Sequence, residues 1–268
     1  MSLPLIDPVR LQALLGAARG RFDVDALLEC ASTSSVLLER AILGAPAGSV
    51  LVSDRQTAGR GRRGRRWLSS PESSLTFSLL WRFDGGVERL AGLSLAVGIA
   101  VQRALTLLGA PGIKLKWPND LLFSDAKLCG ILIELQSEGQ RMLAVIGVGL
   151  NLELPSPDPG ASDFAYPVAA LAQTISPVPD RHLVLASILI ELASVLDRLA
   201  ADGFSALRDE WETCNAWQNR PVRLLRDGVI EKEGICRGVD LDGALLIESA
   251  SGVERCLSGD LSLRSVHT

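Results

Sequence analysis

Apolar positions along the chain fall into a mixture of helical and strand-like periods. Val9-Arg10-Leu11-Gln12-Ala13-Leu14-Leu15 repeats at helical spacing and stops at Gly16. Val50-Leu51-Val52 and Leu75–Trp81 read as buried strands. Glu88–Leu108 is apolar all round, with Ala and Gly among the larger residues, which predicts a buried helix closed by Gly109. Ile113–Trp117 alternates with period two and stops at Pro118. A hairpin through Ser124-Asp125-Ala126 leads to Lys127–Leu135, which is apolar on both faces and so predicts a central strand. Ala144–Leu152 is a further strand, and its glycines predict close approach by a ligand or another backbone.

Residues 155–180, rich in Pro, Ser and Asp, read as a long loop with a short helical piece near Val168–Gln173. Asp180 then caps an amphipathic helix that runs through Leu199 and ends at Asp202-Gly203, and Phe204, Leu207 and Trp211 begin another. From Pro221 onward, short strands are divided by Asp227-Gly228, Asp242-Gly243 and Ser251-Gly252, the pattern of a small all-β barrel. The expected organisation is an N-terminal extension over 1–28, a main domain over 29–218 and a small β unit over 219–268.

Composition narrows the chemistry. The 268 residues suffice for one large domain, or a medium one with a small companion. The net charge is −4, so a basic loop here predicts a local anion site and no nucleic-acid face. The segment before residue 29 is too short for a DNA-reading unit of about three helices. The five cysteines form no Cys-x-x-Cys pair, which predicts reduced thiols and a cytoplasmic setting. Two histidines leave little scope for a His-based triad or a His-rich metal site. No apolar run approaches the roughly 20 residues of a membrane span, so no membrane partner is expected.

The basic loop is Gln56–Trp67, with five arginines on three glycines. Glycine lets the backbone approach a ligand, and arginine offers a charged fork for carboxylate or phosphate. Gly59-x-Gly61-x-x-Gly64, with Asp84 beyond, matches a dinucleotide fingerprint in letters alone. That fingerprint needs a helix directly after the glycines, whereas Pro71 and the Leu75–Trp81 strand follow here. Ser32-Thr33-Ser34-Ser35 precedes a helical run; one hydroxyl would cap it, but four exceed that need. Lys127 stands at the mouth of a central strand, where solvation is the ordinary fate of a lysine.

Four blocks in this order resemble the biotin–protein ligases: Gly59–Trp67, Lys116-Trp117-Pro118-Asn119-Asp120, Lys127–Glu134 and Gly147-Val148-Gly149-Leu150-Asn151. The resemblance runs from about residue 29 onward, and the tail from Asn219 to Arg264 looks like the family's C-terminal barrel. It implies an α+β fold: a mixed-sheet acyl-ligase domain of the class II synthetase-like type, backed by helices, with a small SH3-like β-barrel. It implies that ATP and biotin react to biotinyl-5′-AMP, with Mg²⁺ on the ATP phosphates and no metal held by protein side chains. A lysine of a biotin carboxyl carrier protein then accepts the acyl group. A homodimer is left open.

By resemblance, Lys127 and Arg62 are the catalytic pair. Ser32, Thr33 and Gln56 hold the ureido ring, and Ser34 is a further biotin-binding position. Gly59, Arg60, Gly61 and Arg62 close over the ligand, Trp67 lines its side chain, Lys127 meets its carboxylate, and Gly130 and Gly149 leave it room. Arg62, Arg63, Lys116, Trp117, Asn119 and Asn151 face the nucleotide. Many family members carry Asn where this chain has Ser34, so a shorter hydroxyl stands in place of an amide. The loop is expected to be mobile when empty and ordered over adenylate, because a mixed anhydride must be kept dry. A lipoate–protein ligase is the nearest rival, but its ligand lacks the ureido group that Ser32, Thr33 and Gln56 would pair with. A biotin-responsive repressor is the rival of another class.

Overall fold

The structure, a computed structural model, describes residues 3–154, 167–257 and 261–266. Seven strands form its larger sheet: β1 (Asp23–Cys30), β2 (Ser49–Gln56), β3 (Ser74–Asp84), β4 (Lys114–Lys116), β5 (Asp120–Phe123), β6 (Ala126–Glu138) and β7 (Arg141–Asn151). Their order is β1-β2-β3-β7-β6-β5-β4, with β1 parallel to β2 and every other pair antiparallel. Among the described residues, five α-helices accompany them: α1 (Pro8–Leu14), α2 (Thr33–Ile42), α3 (Leu93–Leu107), α4 (Arg181–Asp202) and α5 (Arg208–Cys214).

Alternation along β3 assigns the two faces of the sheet. Leu75, Phe77, Leu79 and Trp81 join Ile146, Val148 and Leu150 of β7 in the main core, which α3 and α4 cover. Leu80, Leu143 and Val145 point the other way and meet Leu37 and Ala41 of α2 in a second, small cluster. Each fully buried leucine there contributes about 1.5–3 kcal/mol. Continuing along that second face past α2, the side chains become Ser78 and Thr76 on β3, opposite Gly147 and Gly149 on β7. The apolar cover ends where those small polar positions begin.

Several expectations are revised. The helix expected over Glu88–Leu108 is broken: a 3₁₀ turn spans Val87–Leu90, and α3 starts only after Gly92. Gly92 has φ 74°, and a Cβ there would sit 2.3 Å from the Phe204 ring, so neither helix geometry nor a side chain is tolerated. β1 went unforeseen. It is an edge strand whose acidic positions interrupt the apolar signal. Ile6, Leu11, Leu15, Phe22 and Val24 enter the main core, so the segment before residue 29 packs as part of the large unit. His182 ties it down: Nε2 accepts from the Asp7 N–H at 2.9 Å, while Nδ1 lies 3.0 Å from Asp180 Oδ1. The expected loop over 155–180 falls partly outside the described residues; its far end holds a 3₁₀ turn at Leu171–Gln173.

The second sheet contains β8 (Pro221–Arg226), β9 (Val229–Val239), β10 (Leu245–Ser249), β11 (Gly252–Cys256) and β12 (Leu261–Ser265), in the order β11-β10-β9-β8-β12. It is the expected small SH3-like unit. No ladder among the described residues joins β11 to β12, so it is an antiparallel sheet without hydrogen-bonded closure. Trp117, fully buried, pins it to the main unit by donating Nε1–H to the Gly243 carbonyl at 3.1 Å.

Candidate active site

A single row of paired positions crosses the large sheet: Ser53, Thr76, Gly149, Gly130, Asp120 and Lys116. The two glycines face each other at its middle, so the sheet carries a trench. A Cβ on Gly149 would stand 2.3 Å from the Trp67 ring, and one on Gly130 would stand 3.0 Å from Lys127 Nζ. The Trp67 ring therefore covers this floor, with Nε1 3.4 Å from Thr76 Oγ1.

The arginine loop roofs the trench. Gly61 N–H donates to Arg65 O at 2.7 Å and Trp67 N–H to Gly59 O at 3.0 Å, which folds the loop into a narrow flap. Its tip is turned by Arg63, at φ 62°. The arginines spread to different anchors. Arg60 pairs with Glu134 of β6 at 2.7 Å, Arg62 donates to Asn119 Oδ1 at 3.2 Å, and Arg63 reaches Asp227 of the small sheet at 2.8 Å.

One end of the trench is uncharged and polar. Thr33 donates its backbone N–H to Gln56 Oε1 at 2.7 Å, and its hydroxyl lies 3.1 Å from the same oxygen. Ser78 bridges Thr33 and Ser34. Ser32 occupies the N-cap of α2, yet its side chain makes no cap bond, so capping does not account for it.

The other end is cationic. Lys127 Nζ lies 2.6 Å from Asp120 Oδ1, and Lys116 Nζ lies 3.2 Å from Asp120 Oδ2. Burial alone would raise the Asp120 carboxyl, but the two ammonium groups, Lys127 foremost, overcome it and hold it at about 2. Burial pushes the Lys116 ammonium down to about 8, against the opposing pull of Asp120. Burial also pushes the Cys129 thiol up to about 12, which leaves it unreactive.

The cavity so enclosed brings together Ser32, Thr33, Ser34, Gln56, Arg60, Gly61, Arg62, Trp67, Asn119, Lys127, Gly130 and Gly149. Other expected site residues lie elsewhere. Gly59 is packed under the flap, where a Cβ would meet the Trp67 carbonyl at 2.4 Å. Arg63 faces Asp227, and Trp117 faces the small sheet. Lys116 is buried over the Trp217 ring at 5.4 Å. Asn151 donates to the carbonyls of Lys127 and Ala169, at 3.2 and 3.0 Å. Lys116 and Asn151 thus support Lys127, one through Asp120 and one through its backbone. Of the residues expected at the nucleotide, the cavity gathers only Arg62 and Asn119. Thr76 also lines it and was missed, with the polar half of β3's alternation as its signal; Gly147 lines it too, in keeping with the close approach expected at β7's glycines.

Comparison with known proteins identifies the family. Residues 29–151 match the biotin/lipoate A/B protein ligase family, and residues 219–264 match the biotin protein ligase C terminal domain. The bifunctional ligase/repressor BirA of Escherichia coli K12 is 35% identical over 98% of this chain and 81% of its own length. The chain belongs to the biotin–protein ligase family. A biotin–[acetyl-CoA-carboxylase] ligase of Mycobacterium tuberculosis is 33% identical over 96% of this chain and 95% of its own. Among solved structures, the Aquifex aeolicus biotin protein ligase in complex with biotin and ATP superposes with TM-score 0.77 at 29% identity. That match covers 91% of this chain and 99% of the other.

Proposed function

We propose that this ligase joins biotin to a lysine of a biotin carboxyl carrier protein, at the expense of ATP and through biotinyl-5′-AMP. The observation that carries the reading is one cavity, on the biotin-ligase fold, with uncharged hydrogen-bonding groups at one end and cations at the other. Biotin has the matching polarity: a neutral cyclic urea, an apolar side chain and a terminal carboxylate. Thr33, Ser34 and Gln56 suit the urea, the Trp67 ring suits the apolar stem, and Lys127 suits the carboxylate.

Adenylation must bring that carboxylate to the α-phosphate. Two unit charges of like sign 4 Å apart repel by about 4 kcal/mol at an effective dielectric of 20. Lys127 and Arg62 are placed to offset this, and more so as charge moves onto the phosphoryl oxygens in the transition state. Mg²⁺ is assigned to the triphosphate, whose hard oxygens suit it. In the second step an acceptor lysine attacks the acyl carbon and AMP leaves.

ATP–pyrophosphate exchange tests the assignment, with biotin, lipoate and octanoate compared. Biotin alone should support rapid exchange. Faster exchange with lipoate or octanoate would make the protein a ligase of those acids.

A further inference from the structure

Ser78 is fully buried on β3 beneath the polar end of the cavity. Its Oγ lies 2.7 Å from Thr33 Oγ1 and 3.0 Å from Ser34 Oγ. Each of these hydroxyls has one proton and two lone pairs, so the bonds between them have a direction. Gln56 sets that direction. Its Oε1 accepts the Thr33 backbone N–H, which identifies it as the carbonyl side of the amide, and Thr33 Oγ1 lies 3.1 Å from the same atom. A carbonyl oxygen cannot donate, so the Thr33 proton goes to Gln56. Ser78 must then donate to Thr33, and Ser34 to Ser78. The reverse order would set Thr33 Oγ1 and Gln56 Oε1 lone pair to lone pair in a buried site, where such contacts are costly.

We propose that Ser78 is a positioning residue: it aligns the Ser34–Ser78–Thr33–Gln56 chain so that Ser34 and Thr33 meet the ligand as acceptors and Gln56 meets it as a donor. All three hydroxyl protons are spent within the chain. The two that border the cavity keep lone pairs for N–H groups, and the Gln56 Nε2 protons remain for a carbonyl. That is the complement of a cyclic urea, which carries N–H donors beside one C=O. An acid with an apolar ring would leave these buried groups unpaired. Gly147 makes room for the arrangement, since a Cβ there would press to 2.9 Å from Ser34 Oγ. The inference rests on the biotin reading and adds how the ring is discriminated.

The test is pyrophosphate exchange by the full chain, wild type against Ser78→Ala and Ser78→Cys, with biotin and desthiobiotin. Ser78→Ala should raise KM about tenfold or more for both cyclic ureas, the effect of one misdirected buried hydrogen bond. KM for ATP and kcat should stay within about twofold, which a general loss of structure would not allow. Ser78→Cys, of similar volume but a weak donor, should fall between. An unchanged biotin KM in Ser78→Ala, or in Ser78→Cys if the alanine variant does not fold, overturns the proposal. So does an equal rise in KM for ATP. A wild-type protein without biotin-dependent exchange would overturn the functional reading, and this inference with it.

Discussion

Asp120 holds Lys127 by an ion pair of 2.6 Å, while its second oxygen is occupied by Lys116. One carboxylate therefore serves two ammonium groups. Lys127 can turn to a substrate carboxylate without stranding Asp120, because Lys116 still neutralises it. Lys127→Ala should lower biotin-dependent pyrophosphate exchange by about 10²–10³-fold, the usual cost of a group that stabilises transition-state charge. Its melting temperature should move little. Normal exchange in that variant would remove Lys127 from the mechanism.

Lys116 gives a pH signature in stability. Its folded pKa is lowered from 10.5 to about 8, so between those values the unfolded chain holds a proton that the folded one has released. Stability contributed by this group therefore rises with pH through that window, and below about 8 the cost of burying the charge is paid in full. Lys116→Met removes the titration. In urea unfolding, the wild type should gain on this variant between pH 8 and pH 10; parallel curves would contradict the burial of a charged Lys116.

The trench depends on the absence of two side chains. Gly149→Ala would bring a methyl to 2.3 Å from the Trp67 ring, within a rigid strand, so Trp67 must leave the floor. Biotin affinity should fall by about 5- to 150-fold, since repacking of this kind costs about 1–3 kcal/mol. Isothermal titration measures it. The milder Gly130→Ala faces the movable end of Lys127 at 3.0 Å and should lose less.

Exposed ion pairs hold the flap. Asp227 is 81% exposed where it meets Arg63, and a pair of this kind contributes about 0–1 kcal/mol. Asp227→Ala should leave the melting temperature nearly unchanged, yet raise tryptic cleavage among Arg60–Arg66 up to about fivefold. Biotin with ATP should suppress that cleavage in both proteins. Equal sensitivity with and without ligand would deny the flap a closing role.

Much of this molecule was legible in its sequence. The strands β2, β3, β6 and β7 followed from apolar runs, and α4 from its helical period and its Asp180 cap; the order of the strands in the sheet did not. The four motif blocks picked out most of the cavity's lining. Tertiary pairing hid the remainder. Lys116 and Asn151 sit inside those blocks, but only the sheet register shows that they serve Lys127 from behind. Ser78 belongs to no block, and its importance depends on α2 arriving above it with Thr33 and Ser34. β1 escaped notice because an edge strand needs little apolar signal of its own.

Strand pairing also encodes the shape of the pocket. Were β7 to slip by one residue against β3 and β6, Val148 or Leu150 would replace Gly149 at the centre of the crossing row, and a branched side chain would fill the space meant for the vitamin. A change far from the pocket that loosened this alignment would thus abolish recognition without altering any residue that touches the ligand.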